Sequence, residues 1–249
     1  MRKVIFSIAT LAILATIFVS CNKKEESLTP EKQTQPVLTL KGKELTENQK
    51  KAMFWTDWCA GVASVSFAGP YSFAIAAAAS LVYYYDHIDG VHVSYDPDTI
   101  PSNEEELNGY YHNKLCKMYI EKGYTNLNFI DLIKTAKEMR PDIASELDNI
   151  PESNFNEAIS YSNSFEFINS SDQMSIVNTH IPLSEIDANS FQLTIEDIIK
   201  VPIDDQETFV NKANDLITQV RSYSISYEDQ AKLINSLVIL KHSRMLWQF

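Results

Sequence analysis

Glycine is scarce in this chain: six residues in 249, scattered singly at Gly42, Gly61, Gly69, Gly90, Gly109 and Gly123. Phosphate-cradling loops and nucleophile elbows need clustered glycine, because the backbone must turn sharply and approach its ligand closely. Neither can be assembled here. Basic charge is also short, with 21 Lys and Arg against 33 Asp and Glu and a net charge of −12. No basic stripe interleaved with aromatics offsets that deficit, which argues against nucleic-acid phosphates as a partner. Cysteine is limited to Cys21, Cys59 and Cys116. No stretch alternates apolar and polar residues for long enough to build a sheet, so an all-β or α/β fold is set aside.

The N-terminus carries an address. Met1-Arg2-Lys3 is positive, Val4 to Val19 is almost wholly apolar, and Phe18-Val19-Ser20 leads into Cys21. The apolar run is shorter than the roughly 20 residues that span a bilayer. Together these predict a lipoprotein signal peptide over residues 1–20 and lipidation of Cys21, with Phe18 standing where such boxes usually have leucine. Acyl chains hold a protein at a membrane through roughly 0.8 kcal/mol per buried methylene. Loss of Arg2 and Lys3 with the signal takes the net charge from −12 to −14. Residues 21–45 read as a flexible tether, because they hold Pro30, Pro36 and mixed charge without an apolar period. Residues 46–249 read as one helical domain. The expected location is the outer membrane. Asn22-Lys23-Lys24-Glu25-Glu26 resembles the export signal of surface-exposed lipoproteins in Bacteroidetes-type bacteria and extends the expectation to the cell surface.

The expected fold is all-α, a helical bundle around a central apolar hairpin at Ala60–Tyr85. That segment carries no charge and is broken at Gly69-Pro70, where proline cannot continue a helix that needs its N–H. A competing reading of the same segment is a membrane-active hairpin. Thr46 with Gln49 predicts a helix from Glu47 to Val62. Asp86 to Ser102 reads as a loop. Asn103 caps a helix carrying Leu107 to Tyr119 that stops at Gly123, and Asn128 caps one that lays Phe129, Ile130, Ile133, Ala136 and Met139 on one face. A short helix over Pro141–Ile150 and another over Phe155–Ile168 follow. Asn169 to Val201, polar and proline-broken, predicts short turns. Asp204 with Glu207 and Ser226 with Asp229 open the last two helices, the second with a stripe of Leu233, Ile234, Leu237, Val238 and Leu240.

Few residues suggest chemistry. Asp86, His87, Asp89, His92, Asp96 and Asp98 share a loop, but their spacing fits neither a zinc motif nor a calcium loop, so no metal or other cofactor is expected. His112 and Asn113 lie in a predicted helix with Gly109. Their structural reading is a pair of buried side chains bonding carbonyls or neighbouring helices. Cys116 stands one turn from His112 and could meet it, the seed of a thiol catalyst without a third member. Cys59 and Cys116 are the remaining cysteines once Cys21 is lipidated. They form either one disulfide or two buried thiols.

Gly109-Tyr110-Tyr111-His112-Asn113-Lys114-Leu115, preceded by the apolar segment of Trp58–Tyr85, gives Gly-x-x-His-Asn-x-x-Leu. Ser243-Arg244-Met245-Leu246-Trp247 closes the chain. This layout resembles a group of uncharacterised bacterial exported proteins of Bacteroidetes type, many of them lipoproteins. The resemblance implies no activity. The expectation is a lipid-anchored interaction or structural protein of the envelope, with the membrane and an envelope protein as partners. The alternative is an enzyme or metal-binding protein centred on His112.

Overall fold

A computed structural model of the chain describes Gln49, Ala52, Thr56, Trp58, Gly61 and residues 71–88, 100–162, 174, 177–202 and 204–247. All of these belong to one compact unit, Leu40–Phe249. The described residues are mostly helical, with no strand among them. The elements are α1 (Ser72–Tyr83), a π-helical turn (Tyr84–Ile88), a 3₁₀ turn (Glu104–Glu106), α2 (Leu107–Glu121), α3 (Phe129–Met139), a second 3₁₀ turn (Pro141–Ile143), α4 (Ala144–Asp148), α5 (Glu152–Ser162), α6 (Glu185–Ile199), α7 (Gln206–Val220) and α8 (Tyr227–Leu246). The expected all-α bundle is the observed fold.

α1 lies at the centre of the first of two apolar cores. Phe73 to Ala79 and Leu81 have no accessible surface. Alanine at four successive positions, Ala76 to Ala79, favours helix and presents only a methyl group, so α2 and α5 can approach α1 closely. Phe73, Ile75 and Leu81 each contribute about 1.5–3 kcal/mol through removal of apolar surface from water. The same core takes Leu115 and Tyr119 from α2, Leu132 and Ala136 from α3, and Phe155 and Ala158 from α5. The second core gathers Phe191 and Ile195 of α6, Phe209 and Leu216 of α7, and Trp58. Helix α8 serves both. Its Leu233, Leu237 and Val238 face the second core, while Ile239, Leu246 and the following Trp247 enter the first.

Helix starts follow local chemistry. The Asn103, Asn128 and Ser226 side chains accept hydrogen bonds from the backbone N–H of Glu105, of Ile130 and Asp131, and of Asp229. Each cap of this kind contributes about 1 kcal/mol. Gly123, at φ 74°, ends α2 in the left-handed region that glycine enters without a Cβ penalty.

Five expectations change. The chain stays helical through Asp86 and His87, because the π-helical turn extends α1 where a loop was expected. On α3 the face is rotated: Ile130 is 75% exposed, and Leu132 and Thr135 are buried in its place. α5 starts at Glu152, three residues before the predicted start. Asn169–Val201 holds a full 15-residue helix, α6, capped by Ser184, whose hydroxyl accepts from the Asp187 N–H. Asp205, one residue after the expected Asp204, caps α7 by accepting from the Thr208 N–H. Residues 1–45, Cys21, Cys59, Asp89, His92, Asp96 and Asp98 lie outside the described residues, as does the first arm of the apolar hairpin apart from Gly61.

Candidate functional site

Gly109 and Asn113 share one face of α2, and Glu106, at the end of the 3₁₀ turn that leads into it, continues that face three residues before Gly109. They meet residues 238 to 242 of α8 along a polar seam. Gly109 makes the approach possible. A Cβ at this position would stand 2.5 Å from His242 Cδ2 and 2.8 Å from the Val238 carbonyl oxygen. The imidazole of His242 therefore lies directly on bare backbone.

Asn113 Nδ2 donates to the His242 carbonyl oxygen at 2.6 Å. A carbonyl can only accept, so this bond fixes the amide and turns Oδ1 toward His112. His112 Nδ1 stands 2.9 Å from that oxygen and must carry the hydrogen. Nε2 is then the acceptor of the neutral ring, and the Ser80 hydroxyl of α1 lies 3.0 Å from it. One imidazole thus ties α1 to α2, and its neighbour ties α2 to α8. Ser80, His112 and Asn113 are all fully buried. Burial, with a smaller contribution from the charge of His242, lowers the His112 pKa to about 4 against the opposing bond to Asn113.

The charged end of the seam is Glu106. Its carboxylate accepts from Lys241 Nζ at 2.6 Å and His242 Nε2 at 2.7 Å, and Lys241 also donates to Asn214 Oδ1 of α7 at 3.1 Å. Burial alone would raise the Glu106 pKa. Hydrogen bonds and charges from His242 and Lys241 outweigh it and bring the value to about 2. The outer edge is closed by Arg221, which donates to Glu105 at 2.6 Å.

The sequence named Gly109, His112 and Asn113, and the structure brings them together with partners it did not name: Ser80, Glu106, Lys241, His242 and Asn214. Cys116 is buried with its sulfur 3.9 Å from His112 Nε2, so the expected meeting on one helical face does occur. Its pairing with Cys59 lies outside the described residues. The chain-end segment is also inside. Arg244 donates to the Pro202 carbonyl and lies 4.1 Å over the Phe209 ring, and Trp247 stacks on Tyr84 at 5.8 Å. The short motifs quoted from separate parts of the sequence therefore converge on the interior.

Ser80–His112–Asn113 has the connectivity of a hydroxyl–imidazole–amide triad, yet every member is sealed from water, and a substrate needs a surface to reach. Two hollows of the described surface lie elsewhere, one against Thr194, Lys212 and Asp215 and one against Asn178, Pro182 and Ala188. Among the described residues no three metal-ligating side chains converge. Comparison with protein families, curated proteins and solved structures finds no match.

A first expected outcome follows from the clamp. Asn113→Ala strands the His112 N–H in a dry interior, at a cost of about 1–3 kcal/mol, and removes the second hydrogen bond of the His242 carbonyl, which keeps its place in the α8 ladder. Chemical denaturation should show a loss of about 3 kcal/mol. A loss under about 0.5 kcal/mol would show that the clamp contributes nothing.

Proposed function

We propose that this protein is a lipid-anchored helical module of the bacterial cell envelope, held by an acylated Cys21 and acting through contacts with an envelope protein. The reading is supported most by the complete burial of Ser80, His112 and Asn113. The residues best suited to chemistry are spent on joining helices, which leaves the domain's outer surface for interaction. The charged start, the apolar run and the cysteine at position 21 supply the anchoring half of the proposal. Among the described residues no helix is long and apolar enough to cross a membrane.

The anchor is tested by the intact mass of the native protein. The expected species begins at Cys21 and carries acyl chains, and Cys21→Ser leaves the membrane fraction. A native N-terminus without acyl chains, or full membrane association of Cys21→Ser, overturns the anchor.

The second reading is an enzyme, favoured by one observation: the Ser80 hydroxyl stands 3.0 Å from a ring nitrogen of His112. A fluorophosphonate probe labels an activated serine. Absence of labelling at Ser80 in the folded protein fits the interaction module. Labelling at Ser80 that vanishes in His112→Gln, with the melting temperature unchanged, would move the enzyme to first place.

A further inference from the structure

We infer that the outward face of α6 is the interaction surface of this domain, and that it takes a basic amphipathic helix of another protein. The inference rests on the interaction module proposed above and adds its surface and its class of partner. Five large apolar side chains of the described surface stand in water: Ile100, Ile130, Ile186, Leu193 and Tyr227. Three are scattered, with Ile100 before the first 3₁₀ turn, Ile130 on α3 and Tyr227 at the start of α8. Single exposed residues of that kind need no partner. Ile186 and Leu193 differ, because they share α6 at a spacing of seven and so lie two turns apart on one face. They are 81% and 66% exposed. The opposite face of α6 already supplies Phe191, Ile195 and Ile198 to the second core, so the outer pair is surplus to folding.

The shape of this face suits a helix. Asn189, also exposed, stands between the two apolar residues, giving anchors at i, i+3 and i+7. That is the spacing at which one helix receives another laid along it. Two hollows of the described surface open beside the stripe, with room for a partner's side chains. One is lined by Pro182, Glu185, Ala188 and Asn189. The other is lined by Leu193 itself, with Asp197 and, from α7, Lys212 and Asp215.

Charge selects the partner. α6 carries Glu185, Asp187, Glu196 and Asp197 and no lysine or arginine. Asp215 adds a fifth carboxylate at the second hollow. Against these stand Lys200, paired with Asp197 at 3.3 Å, and Lys212. Five carboxylates less two ammonium groups leave −3 around the apolar pair. A second copy would bring the same −3 on a chain of net charge −12, so like charges oppose self-pairing. A helix with lysine or arginine flanking an apolar stripe meets the opposite sign. Its long stems can lie over Ile186 and Leu193 while their heads reach the carboxylates.

The test uses the mature chain, residues 21–249, with Cys21→Ser so that neither acyl chains nor micelles are present. The probe is a synthetic peptide of leucine and lysine, about five helical turns long, with leucine at helical spacing. Titration followed by NMR should move the amide signals of α6 and of the adjoining turns of α7. Ile186→Ser combined with Leu193→Ser should weaken binding about tenfold or more, and Ile130→Ser should leave it unchanged. Both residues of the double variant are exposed, so its melting temperature should match the wild type. A peptide with glutamate in place of lysine should not bind. Equal affinity for wild type and double variant overturns the proposal, because charge alone would then hold the peptide. Equal binding of the glutamate peptide overturns it too, because the acidic rim would then select nothing. Signals that move around Ile130 or Tyr227 instead leave an interaction module but remove α6 as its surface. A chain that sediments as a dimer, and as a monomer after the double substitution, gives the face to a second copy and overturns the basic partner. Absence of binding also overturns the proposal, while the Cys21 anchor is decided separately by its mass.

Discussion

Ala77→Asp should leave the chain unfolded. Ala77 sits in the middle of α1 with no accessible surface, flanked by Ala76 and Ala78, which have none either. An aspartate there brings the three heavy atoms of a carboxylate into a space shaped for a methyl group. No described residue of α1 carries a charge that could pair with it. An unpaired ion in such a place costs several kcal/mol even after its pKa rises to neutralise it, and overpacking adds about 1–3 kcal/mol. That sum approaches the whole stability of an ordinary domain. The measurements are circular dichroism and limited proteolysis of the purified variant. A variant that folds with a normal melting temperature, and is cut readily within α1, would show that α1 is exposed in solution. Such a result would revive the membrane-active reading of Ala60–Tyr85.

Gly109→Ala is the second large effect, and its origin is contact distance alone. The added methyl would stand 2.5 Å and 2.7 Å from two ring carbons of His242 and 2.8 Å from the Val238 oxygen. Backbone and a ring already bonded to Glu106 cannot retreat cheaply, so α2 and α8 must separate. Separation breaks the Asn113–His242 bond and weakens both bonds to Glu106. The expected loss is about 2–4 kcal/mol, overpacking together with the lost hydrogen bond, a fall of roughly 5–15 °C in melting temperature for a domain of this size. Combining it with His242→Ala makes room for the methyl, and the double variant should lose less than the sum of the two single losses. Additive losses would show that the two residues do not touch.

Helix placement was legible where caps and periodicity agreed. Asn103, Asn128 and Ser226 each announce a start through their own side chains, and α8 shows its buried stripe from Leu233 to Leu240. α6 was hidden because Ser184 and Asp187 stand just after Pro182 in a polar stretch, where the proline signal dominates. Ile130 was misplaced because Phe129, at the first helical position, fits either side of α3. In the site, Gly109, His112 and Asn113 stood out as rare residue types at short spacing. The partners of His112 and Asn113 on other helices lie 32 and 129 positions away in sequence. Lys241 and His242 belong to the polar run at the end of α8, which reads as solvent-facing until α2 and α7 cover it. No local pattern reports that cover.

The shared position of α8 sets an order on folding. Every other described helix is made before it, yet both apolar cores lack one wall until Leu233 to Trp247 have left the ribosome. Neither half can close early and wait for the other. A nascent chain of this design keeps the apolar surfaces of both cores uncovered until α8 has emerged, and that is the interval in which such surface is most prone to aggregate.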